Sequence, residues 1–406
     1  MQKQIRNIFI FLALMAVTSL VSFRAGKTVA LTSGESNKST ETLDLSLMWK
    51  VKDKLKQNFL EKDKLDDKTM TYGAISGMVA ALGDPYTVFL APKENKNTND
   101  DLAGEFGGVG IQLGYKDKNL AVMAPLAKTP AEKAGIRAGD LILKIVDKEK
   151  NVDKDTAGIT LEEAVTLIRG KVGTEVTLKF YRDGQKDTFE KTLVRENILV
   201  PSMEMEWIKK GGKTIAWIKL YKFSEQTYKD WPEEVDKIIV EKNKLGTNYG
   251  GVVLDLRNNP GGYLQASVLV ASDFLRDGIV VTQRSSDGKE EIYKVDGTKG
   301  KLVNDKLVVL INEGSASASE ILAGALKDYQ RATLVGVKSF GKGTVQSPID
   351  FADGSGLHVT IAKWLLPKGN NIHGVGILPD IEEKWNPENK DKQDNQLDKA
   401  VETLLK

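Results

Sequence analysis

From Ser202 onward the chain alternates short apolar runs with stretches of helical spacing, and few folds accommodate that order. TIAWIKL, YGGVVLDL, KLVVLIN and ATLVGV have the length and branched content of buried strands. TYKDWPEEVDKIIVEK, LQASVLVASDFL and SEILAGALKDY carry apolar residues at helical intervals. The pattern is α/β. Open sheets of that kind gather their chemistry where strands exit. Three polar segments lie at such exits: DLRNNPGG (255–262), GSASASE (314–320) and SFGKGTVQ (339–346).

Upstream the pattern changes. Residues 31–101 read as a polar linker and an N-terminal helical region that stops at Gly83-Asp84-Pro85, with a charged, asparagine-rich separator at 93–101. Residues 102–198 hold short strands and two helices. The first helix has Thr129 as N-cap, Pro130 at its first position and Gly135 just past its end. Thr160 and Glu163 form a capping box that opens the second, which runs to Arg169. EVTLKFY and KDTFEKTLV close the unit as a hairpin joined near Asp183-Gly184. This order resembles a PDZ domain of the bacterial arrangement. The resemblance implies a carboxylate-binding loop at Gly107, Gly108, Val109, Gly110, Ile111, Gln112 and Leu113, with LEEAVTLIR as the helix beside the peptide groove. Such a groove accepts a peptide as an added strand while backbone N–H groups hold its terminal carboxylate. The α/β body then spans 199–385, and residues 386–406 form a charged linker and an amphipathic helix.

Composition narrows the chemistry. A net charge of +2 over 406 residues gives no electrostatic case for nucleic acid. The absence of cysteine excludes disulfides and thiolate catalysis. Lys3 and Arg6 precede an apolar run from Ile8 to Phe23, so residues 1–30 read as an export signal. The run is long for a signal and short for a membrane span, and both a cleaved signal and a retained anchor fit it. Either reading puts the body outside the cytoplasm, in the periplasm or cell envelope.

Ser315, Ser317 and Ser319 occupy the turn between a strand and a helix. Ser317 with Glu320 makes a capping box, and a plain helix cap is the simpler reading. A hydroxyl at a helix N-terminus is also favoured as a nucleophile by the dipole. Alternation does not choose among the three, although Ser317 is best placed at the cap. A nucleophilic serine needs a base. Of the two histidines, His358 reads as a surface or edge position on a strand, and His373, in a glycine-rich loop with Asp380 within reach, is the better candidate. Lys342 is the alternative: flanked by Gly341 and Gly343, it has no acid beside it in sequence, and a buried lysine loses its proton near neutral pH. Gln346 could orient the amine without adding charge. GVKSFGKGT nearly spells a phosphate loop, but Gly343 stands where that motif needs Ser or Thr. DLRNNPGG reads as a tight turn, or as an oxyanion hole whose second donor is the amide of Ala318.

Together these segments resemble the carboxyl-terminal processing proteases, or tail-specific proteases, which are serine–lysine peptidases with a PDZ domain. GMVAALGDPYTVFL, GEFGGVGIQL, DLRNNPGG, GSASASEI and SFGKGTVQ follow the order of the family's motifs. The resemblance implies Ser317 as nucleophile, Lys342 as base and Gln346 as orienting residue, with Ala318 and either Gly261 or Gly262 as oxyanion donors. It implies an α/β fold, more fully an α+β multidomain chain: a ClpP/crotonase-like core with an inserted PDZ domain and helical ends. It further implies no cofactor and no metal, protein or peptide substrates with free apolar C-termini, a homodimer, and an activating adaptor or lipoprotein. Arg169, at the end of the PDZ helix, reads as a cation that satisfies the helix dipole or as a link between PDZ domain and active site, and the former is the simpler reading. KWLLP stands where the family commonly has K-Y-Y-T-P, a departure that bears on substrate fit. The competing class is a catalytically silent PDZ adaptor that binds C-terminal peptides.

Overall fold

The computed structural model describes residues 43–406 except 127, 298 and 387–393. The leader and most of the charged linker before the last helix therefore lie outside the described residues. None of the described helices is long and apolar enough to cross a membrane.

The chain divides into two compact units, residues up to 70 and residues 71–406. In the first, α1 (Ser46–Asn58) buries no side chain. Helix α2 (Asp67–Ala80) begins there and continues into the second unit.

In the second unit β1 (Val88–Leu90) leads to α3 (Pro92–Ala103), where the sequence suggested a separator. Low helix propensity is overridden by the helix's start and its packing. Pro92 sits at the first position, the Ala91 N–H donates to Glu94 Oε2 at 3.0 Å, and Asn95 is buried with its amide on Asp350. β2 (Glu105–Gly108) then pairs antiparallel with β9 (Glu196–Leu199), a two-stranded stalk through which the chain enters and leaves the next sheet.

That sheet runs β3-β4-β5-β7-β8, with β6 on β5. Its strands are β3 (Ile111–Lys116), β4 (Asn119–Pro125), β5 (Leu141–Asp147), β6 (Val152–Asp155), β7 (Glu175–Tyr181) and β8 (Phe189–Val194). Helices α4 (Pro130–Lys133) and α5 (Leu161–Ile168) start where their caps predict, with the Glu163 N–H on Thr160 Oγ1 at 3.1 Å. The link between β7 and β8 spans 182–188, longer than a tight Asp-Gly turn. Arg195 sits in the core with Asp147 at 2.6 Å and donates to the Ile168 and Glu175 carbonyls, satisfying the end of α5.

The sheet of the α/β body also has six strands, in the order β10-β11-β12-β15-β16-β19. Its strands are β10 (Met203–Lys210), β11 (Lys213–Leu220), β12 (Tyr249–Asp255), β15 (Leu307–Ile311), β16 (Thr333–Gly336) and β19 (Ile381–Glu382), parallel from β11 onward. The apolar runs VVLD and LVVLI are continuous because both faces are covered. Helices α6 (Thr227–Leu245), α7 (Leu264–Phe274) and α8 (Ala318–Asp328) contribute to the main core, which takes in Trp231, Phe274 and Leu322. On the other face α9 (Asn395–Leu405) buries Ala400, Val401 and Leu404 against Ile215, Val253 and Leu310. A second, antiparallel sheet joins β1, β13 (Ile279–Ser285), β14 (Glu290–Lys294), β17 (Thr344–Asp350) and β18 (Gly356–Leu365), with β18 between β13 and both β1 and β17.

Candidate active site

The three exits flagged in the sequence are neighbours in space, because β12, β15 and β16 are adjacent strands. Asn258 and Asn312 lock the first two together. Asn312 Oδ1 accepts the Asn258 N–H at 2.8 Å, and its amide nitrogen donates to Asn258 Oδ1 at 2.9 Å. Asn259, buried, presents its carbonyl to the Ala316 N–H at 3.0 Å and the Ser319 hydroxyl at 2.9 Å. The RNNPGG turn therefore shapes the serine turn directly.

Burial separates the serines that alternation left equal. The Ser315 hydroxyl donates to the Leu256 carbonyl at 2.8 Å and accepts the Asn312 N–H at 2.9 Å. Ser319 is likewise buried and committed. Ser317 alone of the three lines an open cleft of about 530 Å3. It heads α8 at φ 55° and ψ −117°, a backbone region costly for a residue with a Cβ. An ordinary cap would be extended and would bond through its hydroxyl. Ser317 makes no side-chain cap bond, and its N–H donates to Glu320 Oε2 at 2.9 Å. The strain holds the hydroxyl out at a sharp strand-to-helix turn.

Lys342, Gln346, Gly261, Gly262, Ala318 and His358 line the same cleft. A side chain at Gly261 would meet Ser317 Cβ at 2.7 Å and Ala318 N at 2.9 Å, and its φ of +99° also favours glycine. The Gly261 N–H is committed to Asn259 Oδ1 at 2.9 Å, whereas the N–H groups of Gly262 and Ala318 meet no backbone carbonyl among the described residues. Burial pushes the Lys342 amine below the usual lysine range, against the opposing pull of Asp84 and Glu320. Both acids are remote from Lys342 in sequence, so their closeness to it is not legible there, although the S-x-x-E spacing marks Glu320 as a cap. Gln346 donates its amide to Thr344 Oγ1 at 3.0 Å and Thr360 Oγ1 at 3.1 Å, which leaves its carbonyl oxygen as the group able to meet an amine.

Glu320 does more than close a capping box. Fully buried, it accepts four hydrogen bonds: from the Ser317 N–H, the Lys342 N–H at 2.9 Å, the Gly341 N–H at 2.7 Å and the Ser339 hydroxyl at 2.6 Å. One carboxylate thus joins the backbone of Ser317 to that of Lys342. The S-x-x-E spacing announced it, but sequence gives no sign of its partners across the sheet.

The histidines exchange places relative to expectation. His373 is exposed, and Asp380 is engaged by the Leu334 N–H and Lys327, both at 2.8 Å. His358 lies on an inner strand of its sheet, lines the cleft, and has a buried Nε2 with no hydrogen-bond partner among the described residues. Burial lowers its pKa.

In the smaller domain Gly107 and Gly108 are drawn into the β2–β9 stalk, and the Val109 side chain enters the core. Gly110, at φ +75°, turns the chain where a Cβ would collide with Thr129 at 2.2 Å. Ile111, Gln112 and Leu113 lie on β3, an edge strand of its sheet, with α5 beside it. Arg169 stacks on Phe106 with 3.7 Å from its guanidinium carbon to the ring centre and faces Asp100 and Asp101 of α3. It does not line the Ser317 cleft; Asp101, paired with Lys222, does. No cluster of metal-binding side chains occurs among the described residues.

A mixed α/β fold with a strained serine at a helix head and a half-buried lysine in one cleft defines a serine-type peptidase. The family model for peptidase family S41 matches residues 214–383, that for the PDZ domain 107–193, and that for the activating protease CtpB N-terminal domain 11–94. A probable CtpA-like serine protease of Staphylococcus epidermidis is 34% identical over 406 residues, covering 98% of this chain and 78% of that one. The carboxy-terminal processing protease CtpA of Bacillus subtilis is 34% identical over 383 residues, covering 94% and 78%. A photosystem II D1 C-terminal processing protease superposes with a TM-score of 0.50 at 29% identity, covering 90% of this chain and 98% of that one. The chain belongs to the carboxy-terminal processing proteases of peptidase family S41.

Proposed function

We propose that this peptidase binds apolar, unstructured C-terminal tails through its PDZ domain and cleaves them by a serine–lysine acyl-enzyme mechanism. The observation that carries the reading is one cleft lined both by Ser317, whose hydroxyl makes no capping bond, and by Lys342, whose amine burial desolvates. Neutral Lys342 takes the Ser317 proton as Oγ attacks the scissile carbonyl. The oxyanion sits on the amides of Ala318 and Gly262, because the Gly261 amide is already engaged. Lys342 returns the proton to the leaving amine, and water then hydrolyses the ester. Gln346 orients the lysine through its carbonyl oxygen.

The open edge of β3 beside α5 supports capture of a tail as an added strand, its carboxylate at the turn around Gly110. Arg169 couples that event to the cleft through Asp101 of α3. We also propose export to the cell envelope on the strength of the leader, activation by an adaptor or lipoprotein, and a homodimer. The exposed Leu47, Val51 and Leu55 on one stripe of α1 support pairing of two copies. Sedimentation should show Val51→Glu as a monomer beside a dimeric wild type; an equally dimeric variant removes α1 from the interface.

Cleavage of a peptide with a free apolar C-terminus tests the main reading. Ser317→Ala and Lys342→Ala should each abolish turnover, and amidating the peptide should weaken recognition. Turnover by either variant at neutral pH would sink the mechanism, and indifference to amidation would remove the carboxylate site.

A further inference from the structure

The turn 83–87 follows the N-terminal helices and lies against Lys342, one of the residues that line the cleft. The Tyr86 ring centre lies 5.1 Å from Lys342 Nζ and meets His373 edge-on at 5.9 Å. Hydrogen bonds pin the turn on both sides of that ring. Asp84 accepts the Tyr86 N–H at 3.1 Å and the Thr87 hydroxyl at 2.6 Å. Thr87 Oγ1 in turn accepts the Thr360 N–H at 3.0 Å, and Thr360 Oγ1 accepts from Gln346 at 3.1 Å. Directly afterwards Val88 pairs with His358 as β1 joins β18. An unbroken relay therefore runs from Gln346 to Asp84, and the tyrosine is carried at its far end.

We propose that Tyr86 is a positioning residue of the catalytic site, its ring closing the Lys342 amine off from water and fixing where that amine sits. Resting on the reading of Lys342 as base, this assigns a role in the reaction to a segment outside the protease core. The groups that face the amine are Asp84 and Tyr86 from the turn, Glu320 from α8 and His358 from β18, with His373 behind the ring. Water exclusion disfavours the ammonium, whereas Asp84, Glu320 and the face of the ring favour it. Burial is the largest of these influences, so losing the ring raises the affinity of the amine for its proton.

The test reads the amine itself. In full-length protein carrying Ser317→Ala, the pH dependence of Lys342 acylation by an amine-directed reagent is followed by mass spectrometry. Tyr86→Phe keeps the ring and should keep the midpoint. Tyr86→Ala should move the midpoint up by about one pH unit, and the acid limb of kcat/KM in enzyme with Ser317 intact should follow, a tenfold loss at fixed pH below it. Thr87→Val, which frees the turn but leaves the ring, should give a smaller shift in the same direction. An unmoved midpoint in both Tyr86→Ala and Thr87→Val, whatever happens to overall activity, overturns the inference and reduces Tyr86 to packing. Turnover by Lys342→Ala is a separate result that removes the base reading, while the midpoint still decides whether Tyr86 keeps water out.

Discussion

At the scale of the residue, the arrangement depends on one carboxylate more than the motif suggests. Glu320 accepts from the backbone on either side of the cleft, so the position of Ser317 relative to Lys342 is set by a side chain that touches neither reacting atom. Glu320→Gln keeps the shape but turns an NH2 group toward N–H donors. We expect kcat to fall about 100-fold through misplacement of the reacting groups. Stability should fall by about 1–3 kcal/mol for buried donors left unpaired. Steady-state kinetics with denaturant titration checks both, and wild-type kcat in the variant would show that the carboxylate organises nothing. The lysine between glycines and the serine turn were legible in the sequence. The choice among Ser315, Ser317 and Ser319 was not legible from alternation, because it depends on which hydroxyls find carbonyls on DLRNNPGG, a contact across 59 or 60 positions. For the same reason Asp84 and Tyr86 escaped notice. Nothing near Lys342 in sequence points to them.

At the scale of the element, caps and periodicity predicted most of what formed. The helices at Pro130, Leu161, Leu264 and Ala318 begin at or beside their predicted starts, since their signals are local. Helix α3 is the exception, read as a separator because its asparagines and acids disfavour a helix; its stability comes from Asn95 and from the turn at Pro92. Helix α9 docks on its own sheet. Clamped at its start by Arg257 between Asp255 and Asp394, it is a structural cover. Within the PDZ domain the buried Arg195–Asp147 pair plays the comparable part. Burial opposes the charge on Asp147, but the Lys150 N–H and Arg195 together hold its carboxyl below the usual range. Because this folded-state value is depressed, the stability it contributes is present above the ordinary aspartate range and is lost as pH falls through the folded value. Arg195→Met should strand that carboxylate and destabilise the domain by about 3–5 kcal/mol. Hydrogen exchange should show residues 105–199 opening ahead of the protease core. Equal protection in the variant would mean the pair is dispensable.

At the scale of the molecule, a PDZ domain is threaded through a two-stranded stalk into a peptidase whose cleft receives groups from distant parts of the chain. Asp101 of α3 faces both Arg169 and the cleft, and the proposed coupling of peptide capture to the chemistry runs through it. The order of motifs makes the family legible in the sequence, whereas the closeness of the N-terminal turn to Lys342 depends on β1 adding to β18. The central claim is that Ser317 becomes acylated with Lys342 as its base. Rapid acid quench of enzyme with a tail peptide, followed by intact-mass and peptide mapping, measures this directly. A transient peptidyl ester should form on Ser317 with the first turnover and be absent in Lys342→Ala. An ester on another residue, or the same adduct at full rate without Lys342, would contradict the claim.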